Sequence, residues 1–144
     1  MRNKGQSIFE IVLAVGFISI VLFALVSLMV QTQRNTSSSK NRADGSRLVQ
    51  EATEWLRSER DSDWGAFYGR TAGNTTWCLN ALGWTTSSAC SGNMTDKPFR
   101  REVSFTRDIA DPNTVRADVL VRWSDSQGNH EIRAATHFTN WRGR

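Results

Sequence analysis

The feature that most constrains this chain is one acid, Glu10, followed by the uncharged apolar run Ile11–Val30. At about 1.5 Å of rise per residue, such a run makes a helix roughly 30 Å long, the thickness of the hydrocarbon layer of a bilayer. Only Gly16, Ser19 and Ser27 interrupt it, and membrane helices accept small residues of this kind. A secretory signal peptide has a shorter apolar core with a small-residue cleavage site behind it. Here the polar Gln31-Thr32-Gln33-Arg34 follows instead. Glu10 is the anomaly. A carboxylate drawn into lipid is costly, so an acid at the mouth of a spanning helix needs a partner or must snorkel to the headgroups.

The residues in front of Glu10 carry a resemblance. A short basic leader, Met1-Arg2-Asn3-Lys4, ends in Gly5, and Gln6-Ser7-Ile8-Phe9-Glu10 leads into the apolar run. This resembles the prepilin motif of type IV pilins, minor pilins and type II secretion pseudopilins. Ser7 to Glu10 follows that family's hydroxyl-apolar-apolar-acid order, whereas Gln6 stands where phenylalanine is usual. The likeness covers about 26 of the 144 residues, Gly5 to Val30.

The resemblance implies that a membrane prepilin peptidase cuts between Gly5 and Gln6 and methylates the new amine of Gln6. It implies a non-enzymatic filament subunit without cofactor or small-molecule substrate, whose partners are the peptidase, the inner membrane and other pilin or pseudopilin subunits. Glu10 of an incoming subunit would meet the amine of Gln6 on one already in place, relieving an unpaired charge in a low-dielectric setting. The implied fold is α+β, a pilin-like lollipop: a long N-terminal helix, membrane-spanning in its first half, packed on a small antiparallel sheet. The C-terminal domain would lie outside the inner membrane, and after assembly in a periplasmic or cell-surface filament. The alternative is a single-pass membrane-anchored extracytoplasmic binding or sensory domain.

These readings divide the chain into a leader (1–5), an assembly helix (6–30), a second half of the helix (31–64), a loop region (65–97) and a β-meander (98–144). Residues 31–46 are polar, yet no proline precedes Pro98 to stop a helix. The expectation is one helix from Ser7 to about Arg60, weakened at Ser37–Ser39 and Gly45. A membrane helix, a flexible linker and a separate short helix form the alternative. Leu48, Ala52, Trp55, Leu56 and Glu59 recur at helical spacing. Asp61 and Asp63 are too few for a metal or an acid-base pair and mark a solvated helix end.

Cys78 and Cys90 are the only cysteines. In an exported domain a lone pair reads as a disulfide, whose loop contributes about 3 kcal/mol by chain-entropy reckoning. A zinc site would need His130 and His137, which lie far off in strand-like segments, and neither histidine stands in a recognisable catalytic arrangement with a cysteine.

Beyond Lys97 the pattern has period two. Phe99, Val103, Phe105 and Ile109 share one parity; Val115, Ala117, Val119, Val121 and Trp123 form an apolar face; Ile132, Ala134, Thr136 and Phe138 return after a turn at Asp125–Asn129. This predicts a three-stranded antiparallel meander. The formal charge is +4, falling to +2 once Arg2 and Lys4 leave with the leader. Arg100, Arg101, Arg107, Arg116, Arg122 and Arg133 are interleaved with Glu102, Asp108, Asp118 and Glu131. A salt-bridged sheet face is therefore expected in place of a nucleic-acid groove. The six tryptophans are expected partly in the core and partly at a subunit interface.

Overall fold

The computed structural model describes the backbone of residues 4–73, 75–107, 111 and 113–141, and side chains from Ile8 onward within those ranges. In chain order the elements are α1 (Lys4–Ser62), α2 (Trp64–Arg70), β1 (Thr76–Cys78), β2 (Phe99–Arg107), β3 (Thr114–Asp125) and β4 (Gly128–Thr139), an α+β fold. The contacts divide the chain into two compact units, with the boundary between Lys40 and Asn41.

Helix α1 is unbroken through the serines and Gly45, so no linker separates two helices. Nothing in it lacks a backbone N–H, and hydroxyls that might compete with the helix bond back into it. Ser19, Ser27, Thr32 and Thr36 each donate to the carbonyl four residues earlier, at 2.8–2.9 Å. In lipid this is how a serine avoids an unsatisfied donor. The helix stops at Asp63, which is extended (φ −151°, ψ 103°) and caps α2 by accepting the Ala66 N–H at 3.0 Å. Trp64 thus opens a second helix, and Asp61 is held by Arg60 at 2.9 Å.

In the unit from Asn41 onward, α1 buries Gly45, Leu48, Val49, Ala52, Thr53 and Leu56. That stripe is wider than the one the spacing indicated, because a helix lying on a sheet buries two adjacent rows. Leu48, Val49 and Leu56 are each worth about 1.5–3 kcal/mol of burial. Gly45, expected to weaken the helix, marks its close approach to the sheet. A Cβ there would sit 3.0 Å from Trp123 Cζ3 and 3.1 Å from Ile132 Cδ1.

The sheet has four antiparallel strands in the order β1-β2-β3-β4. The predicted meander is β2-β3-β4, with Phe99 opposite Trp123, Val103 opposite Val119, and Val121 opposite Ile132. Phe99, Val103, Phe105, Val115, Ala117, Val119, Val121, Trp123 and Phe138 enter the core together with Leu48, Leu56, Phe67 and Leu79. Ile109 lies outside the described residues. The turn closes on two residues, Ser126 and Gln127, with Asp125 opposite Gly128 at φ +122°.

The region read as loop supplies two elements. Helix α2 buries Phe67, edge-on to Phe105 (5.8 Å) and Phe138 (5.4 Å). Strand β1 joins the sheet edge through Thr76–Ser104, Trp77–Val103 and Cys78–Glu102. Both are shorter than a sequence pattern can signal, and tertiary packing creates them.

Candidate assembly helix and the anchors of the disulfide loop

The first part of α1 differs from the rest of the fold in having no cover. It is long and apolar enough to cross a membrane, and none of its apolar window is buried. Exposure along Ile8–Val30 reaches 77% at Phe23. Monomeric soluble proteins rarely expose a continuous apolar surface of this kind, and this stretch is a candidate membrane anchor. Glu10 stands at the head of this surface, exposed, with no ion pair or hydrogen bond among the described residues. Gly5 and Gln6 lie in the first turn of α1, and their side chains fall outside the described ones.

Cys78 and Cys90 form a disulfide with their Cα atoms 4.8 Å apart. Cys78 belongs to β1, and its N–H donates to Thr86 O, so the bridge closes a loop already started by a backbone bridge. Two adjacent residues of β2 fasten this loop from opposite faces of the sheet.

Arg101 points inward and is 3% exposed. Its Nε donates to Leu79 O at 2.8 Å, and its Nη1 to Leu48 O at 3.0 Å and Glu51 Oε2 at 2.9 Å. One guanidinium therefore ties the loop to α1. Burial lowers its pKa, and the hydrogen bond and charge of Glu51 oppose that shift. Glu102 points outward and is also buried, accepting the Cys90 N–H at 2.9 Å and Arg122 Nη1 at 3.2 Å.

Sequence reasoning placed Arg101 among surface arginines. The signal against that was parity, since Arg101 shares odd numbers with Phe99, Val103 and Phe105. Arg107 turns the same way, its guanidinium over the Tyr68 ring at 3.9 Å and bonded to Thr71 Oγ1 and Tyr68 O. Of the outward arginines, Arg116 pairs with Asp118 at 2.9 Å, Arg122 with Glu102 and Glu131, and Arg100 lies 3.7 Å from Glu102.

His130 bonds Asp125 Oδ1 at 2.9 Å and stacks on Trp123, while His137 is exposed, so the structure does not bring them to the cysteines. Among the described residues no group of three or more His, Cys, Asp or Glu side chains is placed to hold a metal. Trp55, Trp77 and Trp84 cluster beside Phe67, with Trp84 Nε1 donating to Glu59 at 2.6 Å. Trp123 is buried and Trp141 exposed.

No protein-family model, curated protein or solved structure matches this chain.

Proposed function

We propose that this protein is a non-enzymatic filament subunit of the type IV pilin class, a minor pilin or type II secretion pseudopilin. In this reading it is cut after Gly5 by a prepilin peptidase and methylated at Gln6. It is stored in the inner membrane through Ile11–Val30, with its C-terminal domain outside, until it assembles. The observation that supports it best is a carboxylate, Glu10, without a partner among the described residues, at the head of an uncovered apolar helix and five residues past a glycine. A bundle of such helices covers the apolar surface and supplies the missing cation from the Gln6 amine of a neighbour, so a subunit out of register forfeits the pair.

The mature N terminus tests the reading. Intact-mass measurement should find a chain beginning at methylated Gln6 in cells that possess the peptidase. A chain that keeps Met1, or is cut after Val30, rejects the filament in favour of an anchored ectodomain. Glu10→Gln and Glu10→Ala should still reach the membrane yet fail to enter filaments; assembly at the wild-type level would refute the pairing.

A further inference from the structure

No acid stands between Glu10 and Asp44, yet Arg34, Lys40 and Arg42 all fall in that interval. Further along the same helix the arginines have counter-ions: Arg47 reaches Asp44, Arg57 reaches Glu54 and Arg60 reaches Asp61. Arg34 and Lys40 are exposed, and their side chains have no ion pair or hydrogen bond among the described residues. The hydroxyls beside Arg34 are committed to the helix, since Thr32 and Thr36 donate to Leu28 O and Thr32 O. Arg34 is therefore the strongest free donor directly beyond the apolar run, and its charge is uncompensated.

The depth of these charges identifies the counter-ion. Both residues belong to the unit that carries the apolar run. At about 1.5 Å of rise per residue, Arg34 lies about 6 Å beyond Val30 along the helix and Lys40 about 15 Å. With Ile11–Val30 filling the hydrocarbon layer, the headgroup layer extends about 5–8 Å further. Arg34 then stands among the lipid phosphates. Lys40 stands outside them, within about one Debye length, roughly 8 Å at physiological salt. We propose that Arg34, backed by Lys40, binds the headgroup of an anionic phospholipid where the helix leaves the bilayer. The planar guanidinium fork matches two phosphate oxygens, and the long lysine stem lets its ammonium lean back toward the surface. An acidic protein segment or a nucleic acid would have to displace headgroups to reach Arg34. The proposal rests on the membrane placement of Ile11–Val30, which the filament and the anchored-ectodomain readings share, and not on cleavage after Gly5.

The full chain, reconstituted in vesicles of equimolar phosphatidylcholine and phosphatidylglycerol, tests it, with spin-labelled forms of the two lipids as probes. The fraction of each probe that the protein immobilises reads its preference. Phosphatidylglycerol should be enriched at the protein about two- to fivefold over phosphatidylcholine, and added salt should reduce the preference. Arg34→Gln should remove most of the enrichment, Lys40→Gln a smaller part, and the two together all of it. Both positions are exposed on the helix, so tryptophan-detected unfolding of the domain should not shift in either variant. Equal immobilisation of the two lipids by the wild-type chain overturns the proposal, as does a larger loss with Lys40→Gln than with Arg34→Gln. Enrichment that survives the double variant also overturns it and assigns the preference to other bases, such as Arg2 and Lys4. Flotation with vesicles of phosphatidylcholine alone reads the membrane placement separately. A chain that floats but shows no preference refutes the headgroup site only, whereas one that does not float refutes the placement and the site together.

Discussion

Helix α1 has the same backbone hydrogen bonding over Ile8–Val30 as over Gly45–Leu56, yet the two stretches obey opposite rules. In the second, an apolar stripe is sunk against the sheet, a glycine sits where contact is closest, and polar residues occupy the other faces. In the first, apolar side chains surround the helix and none is buried. A helix apolar on every side is stable only in an apolar surrounding, whereas a one-sided stripe is satisfied by one packed surface. The comparison teaches that burial within the chain accounts for the globular unit alone. The apolar run is explained only by what surrounds the protein.

The sharpest test of that contrast is a matched pair of truncations. Leu56→Ala removes a fully buried side chain from the core and should destabilise the domain by about 2–5 kcal/mol. Leu22→Ala, in the uncovered stretch, should leave its unfolding unchanged. All six tryptophans lie between Trp55 and Trp141, so tryptophan fluorescence during thermal unfolding in detergent reads the domain without the membrane helix. A shift with Leu22→Ala comparable to that with Leu56→Ala would break the comparison.

Next in size is the disulfide. Replacing Cys78 and Cys90 together by serine should cost about 3 kcal/mol by loop entropy. It should also loosen the backbone N–H of position 90 from Glu102, raising amide exchange there and at Leu79, while the helix before Lys40 keeps its protection.

A smaller effect is expected where helix and sheet come closest. Gly45→Val should destabilise by about 1–3 kcal/mol despite better helix propensity, because the aromatic ring of Trp123 must move. Gly16→Val, where no atom beyond the neighbouring helix backbone lies within 4 Å, should cost the domain nothing.

The mildest expectation concerns pH. Asp125 has its pKa lowered, chiefly by the Gln127 N–H and then by His130, with Asn41 contributing. A carboxylate depressed on folding adds stability above its unfolded pKa and loses that stability as pH falls through the folded one. Wild type should therefore lose stability below the ordinary carboxylate range more steeply than Asp125→Asn, measured by unfolding at matched ionic strength. Parallel profiles for the two proteins would remove Asp125 from the account.

Period-two alternation was enough to place β2, β3 and β4 and most of their core residues, because each strand is long and one face of the sheet is apolar. The helix was legible from its apolar run and the absence of proline, and the disulfide from having only two cysteines. Helix α2 and β1, at seven and three residues, carry no usable periodicity. The charge of Arg101 points to the surface and its parity to the core, and the tertiary structure follows parity.

The residue order by itself determined that an unbroken apolar helix begins beside a lone acid, since length and side-chain chemistry need no partner to be read. Only the tertiary structure decided that Gly45 is a contact point and that Arg101 and Glu102 grip the disulfide loop from opposite faces. Those facts depend on which atoms, distant in sequence, meet at hydrogen-bond or van der Waals distance, and no local pattern encodes that meeting.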